Sequence, residues 1–98
     1  MITEHAVLQI DPTKAREFEA AFAQARPLIA GQPGFLSLRL LRIGETAGRY
    51  VLIVGWASLA DHTEGFRRSP EYGPWRALLH PFYDPMPDVE HAVDVFTD

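Results

Sequence analysis

The stretch from Arg49 to Ala57 (RYVLIVGWA) limits the possible folds more than any other part of the chain. It is rich in β-branched and aromatic residues and too short to be a buried helix, so it reads as a strand over residues 49–57. Tyr50, Leu52, Val54 and Trp56 then point to one side, and Val51, Ile53 and Gly55 to the other. A strand with no polar face is covered on both faces. One cover has to come from the rest of the chain and the second from elsewhere.

The remaining pattern supplies the first cover. Residues 35–43 (FLSLRLLRI) form a second strand, joined to 49–57 through Gly44-Glu45-Thr46-Ala47-Gly48 as a hairpin. Residues 4–10 (EHAVLQI) alternate, with Ala6, Leu8 and Ile10 on one face and His5, Val7 and Gln9 on the other. Residues 88–96 (DVEHAVDVF) alternate again, with Val89, His91, Val93 and Val95 together. Asp11-Pro12 is a helix cap followed by a proline at the first helical position, where a missing N–H costs nothing. The stripe Ala15, Phe18, Phe22, Ala25 and Ile29 carries that helix to Ala30, with Pro27 expected to kink or shorten it. Ser58 and Asp61 have capping-box spacing ahead of a short helix bearing Leu59, His62, Thr63 and Phe66. Ser69-Pro70 repeats the start signal before a stripe of Tyr72, Trp75, Leu79 and Phe82.

Strand, helix, strand, strand, helix, strand is the order of the split βαβ repeat. It predicts an α+β, ferredoxin-like fold: a four-stranded antiparallel sheet with the first strand between the third and fourth, and helices on one face. Ninety-eight residues suffice for one domain, residues 1–98, and no more. The uncovered face would expose several hundred Å² of apolar surface, about the size that marks an interaction site. The expectation is a homodimer packed sheet to sheet, a dimeric α+β barrel.

Composition narrows the function. A net charge of −4 with nine Lys and Arg disfavours a nucleic-acid partner, which requires clustered cations. With no cysteine there are no disulfides, thiolate metal sites or cysteine nucleophiles. No apolar run approaches the ~20 residues of a membrane span, and the N-terminus lacks an export pattern, so no membrane is expected and a cytoplasmic location is. His5, His62, His80 and His91 form no HxxxH or HxH pair, so neither a metal nor a cofactor is expected. Phosphate-loop and GxSxG motifs are absent, which disfavours nucleotide-dependent and hydrolytic classes.

The most distinctive segment is residues 56–85, with Trp56, His62, Phe66, Ser69, Tyr72, Trp75 and Phe82-Tyr83 in succession. This run resembles the antibiotic biosynthesis monooxygenase family, and the resemblance extends over essentially the whole chain. It implies the fold and the dimer. Members of that family include cofactor-free oxygenases of quinol-like or anthrone-like compounds, haem-degrading enzymes and proteins with no assigned reaction. The better understood oxygenating members use an asparagine near the pocket, whereas this chain has none. His5 and Gln9 are candidate polar replacements.

Antiparallel pairing sets the start of the first strand beside the end of the third, which brings His5 toward Trp56 and His62. The candidate catalytic residues are therefore His62, His5 and Trp56. The candidate substrate-binding residues are Phe66, Tyr72, Trp75, Phe82 and Gln9. An imidazole in such a place takes a proton from a phenolic or quinol substrate near neutral pH, and the resulting carbanion reacts with dioxygen without a metal. The structural alternative has His62 bonded to a backbone carbonyl and the aromatics filling the core. Three functions follow: a homodimeric cofactor-independent monooxygenase of a small aromatic or quinol-like compound, a non-catalytic ligand-binding or stress-associated dimer, and a haem-binding or haem-degrading protein.

Overall fold

A computed structural model describes residues 1–97. The chain forms β1 (Ile2–Gln9), α1 (Ala15–Ala30), β2 (Phe35–Arg42), β3 (Arg49–Trp56), a π-helical turn (Asp61–Phe66), α2 (Tyr72–Leu79) and β4 (Val89–Ala92). The strands make one antiparallel sheet in the order β2-β3-β1-β4, so β1 lies between β3 and β4 as the ferredoxin-like order requires.

Alternation sorts the side chains of β1 and β3 cleanly. Glu4, Ala6 and Leu8 and, across the pairing, Tyr50, Leu52, Val54 and Trp56 are buried beneath the helices. His5, Val7, Gln9, Val51 and Ile53 share the opposite, partly exposed face. α1 closes the covered side with Phe18, Phe22, Ala25 and Ile29, the stripe read from its spacing. Phe18 is fully buried, with ring centroids 5.0 Å from Tyr50, 5.6 Å from Phe82 and 5.9 Å from Phe22. Burying one such side chain contributes about 1.5–3 kcal/mol, so this aromatic knot is the dry anchor of the fold.

Local signals explain most boundaries. The Asp11 carboxylate accepts from Thr13 N at 2.9 Å and starts a 3-10 turn over Pro12–Lys14, which leads into α1. α1 runs through Pro27 without stopping. Proline removes only the N–H that would bond Ala23, an exposed residue whose carbonyl reaches water. Gly48 has φ +81°, and a Cβ there would collide with the Ile10 carbonyl, so the β2–β3 turn needs glycine.

Four expectations are corrected. The last strand is Val89–Ala92, not residues 88–96. Its pairing with β1 ends at Thr3↔Ala92, and beyond that β1 has almost no residues left to pair, so Val93, Val95 and Phe96 are exposed. The helix after Ser58 is a π turn, closed by Arg67 N donating to His62 O at 3.1 Å, although the Ser58–Asp61 cap forms. Ser69 turns its hydroxyl back to Phe66 O at 2.7 Å instead of capping, and α2 opens at Tyr72. The outer sheet face is also less apolar than expected, since Thr3, His5, Gln9, Ser37, Arg39 and Glu90 interleave with its valines, leucine and isoleucine. Among the described residues no helix is long and apolar enough to cross a membrane.

Candidate functional site

The sheet register builds a polar cluster at one end of the covered face. Glu4 pairs with Val54 on β3 and with His91 on β4. Ile2 pairs with Trp56, so Trp56 and Glu4 are diagonal neighbours on the same face. The Trp56 indole Nε1 donates to Glu4 Oε1 at 3.0 Å. Trp56 is fully buried, and Glu4 is only 6 % exposed.

The π turn adds His62 on top. Its ring stacks on Trp56 with centroids 5.5 Å apart and planes at 15°. His62 Nε2 lies 3.3 Å from Glu4 Oε1, and Nδ1 lies 2.8 Å from His91 Nε2. The wider coil of a π turn sets residues four apart on the same buried side, and both His62 and Phe66 face inward. Glu4, His62 and His91 thus form one chain of contacts from three elements: an inner strand, a turn and an edge strand.

Both inner groups are held toward their neutral forms. Burial raises the Glu4 carboxyl above its usual range, opposed by the Trp56 hydrogen bond and the charge of Arg67. Burial lowers the His62 imidazole to about 4, helped by Arg67 and His91. The Glu4–His62 contact is therefore a close approach of two polar groups that resist charge, and not an ion pair between two settled charges. Burial also raises the Tyr83 phenol, and burial together with Arg76 lowers His80.

Glu4 and His62 open onto a cavity of about 220 Å³ between the sheet, α2 and the loop before β4. Ala6, Leu8, Leu52, Phe66, Tyr72 and Trp75 form its apolar walls, and Arg67, His80 and Tyr83 add polar edges. Tyr83 and Asp84 tie the loop to the end of β1 through the Ile10–Tyr83 bridge and a 3.0 Å bond from Asp84 N to Gln9 O. Met86, Pro87 and Val89 close the remaining side.

The structure thus gathers His62, Trp56, Phe66, Tyr72 and Trp75 in one place. Phe82 is elsewhere, packed edge-on against Phe18. His5 and Gln9 are on the outer face, because each is one residue out of phase with Glu4 and Leu8. His5 pairs with Ile53 and Glu90 and does not reach Trp56 or His62 on the covered side. His62 bonds side chains instead of a backbone carbonyl. Sequence reasoning missed Glu4, Arg67, His80, Tyr83 and His91. For Glu4 a signal existed: a carboxylate at the same strand parity as Ala6, Leu8 and Ile10. Among the described residues no group of three or more His, Cys, Asp or Glu is placed to hold a metal.

A one-sheet ferredoxin-like domain with an aromatic-walled cavity between sheet and helices defines the class of protein. The chain belongs to the antibiotic biosynthesis monooxygenase family, whose model matches residues 1–78. It is 50 % identical over 95 residues to the uncharacterized protein YczJ of Bacillus subtilis (strain 168), covering 97 % of this chain and 100 % of that protein. It is 35 % identical to a candidate antibiotic biosynthesis monooxygenase of Bordetella bronchiseptica, covering 96 % of each chain with a TM-score of 0.90. The fold is also shared with SnoaB, a cofactor-independent oxygenase from Streptomyces nogalater, at 23 % identity and a TM-score of 0.81 over 95 % of this chain and 91 % of that one.

Proposed function

We propose that this protein is a cofactor-independent monooxygenase of a one- or two-ring phenolic or quinol-like compound, acting as a cytoplasmic homodimer. One observation carries the reading: a buried carboxyl and a buried neutral imidazole lie side by side at the mouth of an aromatic-walled cavity. Burial raises the Glu4 carboxyl, and a carboxylate with a raised pKa is a stronger base toward a phenolic proton than an ordinary one.

The chemistry balances without a cofactor. Glu4 takes the hydroxyl proton, and the electron-rich phenolate passes electrons to dioxygen, forming a C–O bond ortho or para to the hydroxyl. Loss of the ring hydrogen at that carbon then breaks the O–O bond. One oxygen stays as a new carbonyl, and the other leaves as water, carrying the ring hydrogen and one proton taken from solvent, while Glu4 still holds the hydroxyl proton. Phe66, Tyr72 and Trp75 would stack on the rings and keep bulk water from the reacting carbon.

Size favours small substrates. The cavity of about 220 Å³ lies below the ~300–1,000 Å³ of pockets for drug-sized ligands, which supports one or two rings over a haem. The outer face supports the dimer: Val7, Leu41, Val51 and Ile53 form its apolar centre, with Arg39 and Glu90 toward the edges. The absence of cysteine fits a reducing compartment.

The test is oxygen uptake by purified protein with one- and two-ring hydroquinones beside three-ring anthrones, with chelator present and no cofactor added. The expected result is uptake with the smaller compounds, lost in Glu4→Gln. Ligand binding without uptake would replace this reading with a non-catalytic binding dimer.

A further inference from the structure

We propose that His91 is the proton exit of this site, linking the buried pair Glu4–His62 to solvent through a chain of close polar contacts; the inference rests on the oxygenase reading above. A carboxyl that takes a proton inside an aromatic cavity has to lose it before the next turnover. Glu4 is 6 % exposed and His62 3 %. Neither can hand a proton directly to bulk water while substrate fills the cavity.

The geometry supplies a path. Glu4 Oε1 is 3.3 Å from His62 Nε2, and His62 Nδ1 is 2.8 Å from His91 Nε2. His91 is half-exposed, belongs to the edge strand β4 and is not part of the cavity wall. Its ring therefore has one nitrogen on the wire and the other available to the outside. The family model's match ends at residue 78, so His91 falls outside the matched stretch.

The protons balance at every step. Protonated Glu4 gives its proton to His62 Nε2 as His62 Nδ1–H passes to His91 Nε2, and His91 releases its own Nδ1 proton to water. The net change is a regenerated Glu4 carboxylate, one proton in solvent and both imidazoles in their Nε2–H tautomers, which exchange back to Nδ1–H through water once product has left the cavity. His62 suits a relay because it stays neutral through the working range and does not trap the charge. Trp56 holds the same Glu4 oxygen at 3.0 Å and stacks under His62, so neither partner can rotate away from the wire.

His91 acts through His62 and does not touch substrate, so its test needs a readout that packing alone would not move. In His91→Ala, oxygen uptake with 1,4-dihydroxynaphthalene should lose about tenfold or more in kcat at unchanged KM. Added imidazole buffer should restore much of the loss, while added buffer leaves the wild type unchanged. His91→Gln, which keeps a hydrogen-bonding side chain but cannot pass a proton, should behave like His91→Ala. A wild-type rate in either variant, or a loss that imidazole does not restore in folded protein, would overturn the relay. A second measurement separates this failure from failure of the oxygenase reading. Nitrogen-15 NMR of the resting protein should show coupling across a shared proton between His62 Nδ1 and His91 Nε2. If wild-type protein takes up no oxygen with any compound, the oxygenase reading falls, and the relay in turnover falls with it. Absence of the coupling would remove the wire itself whatever the uptake.

Discussion

The two faces of the sheet use the same strands for different work. On the covered face, Glu4, Ala6, Leu8, Leu52 and Trp56 meet helices, lie almost wholly out of water and end at a polar cluster beside a cavity. On the outer face, Val7, Val51 and Ile53 alternate with His5, Gln9 and Arg39 and stay partly open to water, with no helix over them among the described residues. Glu4 and His5 are neighbours in sequence, yet they lie on opposite faces, and burial on the covered face raises the Glu4 carboxyl. Desolvation sets the buried carboxyl of Glu4 apart from a carboxyl in water.

That contrast can be broken in several ways. The largest effect is expected for Glu4→Gln, whose carbonyl oxygen still accepts from Trp56 but cannot take a proton. Oxygen uptake should fall about 10²–10⁴-fold, and a near wild-type rate would remove the base from the covered face. Phe18→Ala, at the dry end of that face, should cost about 3–5 kcal/mol in urea unfolding, because the ring is fully buried among Phe22, Tyr50 and Phe82.

Acid should expose the covered face through His62. Its imidazole titrates near 4 when folded against 6.5 unfolded, so the unfolded chain takes up the proton first. Stability should therefore fall as pH drops from about 6.5 to 4, by about 2–3 kcal/mol. Glu4 works in the opposite sense. Its raised carboxyl favours the folded chain below 4.5, and that contribution is lost as pH rises through the folded value. Urea midpoints between pH 4.5 and 7 should show a shallower acid loss in His62→Gln than in the wild type; equal slopes would mean that His62 is not desolvated as described.

The outer face is sharpened by Ile53→Lys, which puts a charge at the centre of the proposed dimer contact. Self-association should weaken by about 10–100-fold, or 1.4–2.8 kcal/mol, as read by sedimentation with the monomer still folded. The smallest effect belongs to His5→Ala. Because His5 is on the face away from the cavity, uptake should stay within about twofold and stability within ~0.5 kcal/mol.

The fold was legible because its signals are local. Asp11 caps as read, the stripe from Phe18 to Ile29 is buried as read, and the apolar strand Arg49–Trp56 occupies an inner position. The site was only half legible. The run of Trp56, His62, Phe66, Tyr72 and Trp75 stood out through its resemblance to the family's pattern, and the structure brings it together beside the cavity. The partners of that run did not. Which face a residue takes depends on strand parity, and His5, expected near Trp56 and His62, falls one residue out of phase with Glu4 in a period of two. His62 and His91 are 29 residues apart in sequence and meet only because β4 pairs with β1. Spacing rules that look for HxH or HxxxH cannot see such a pair.

The most direct test of the central claim is turnover of 1,4-dihydroxynaphthalene under ¹⁸O₂ with product mass spectrometry, in wild type and Glu4→Gln. The account predicts one labelled oxygen in a hydroxyquinone product, the second in water, and little labelled product from the variant. An unlabelled product with hydrogen peroxide in place of water, or equal labelling by the variant, would contradict it.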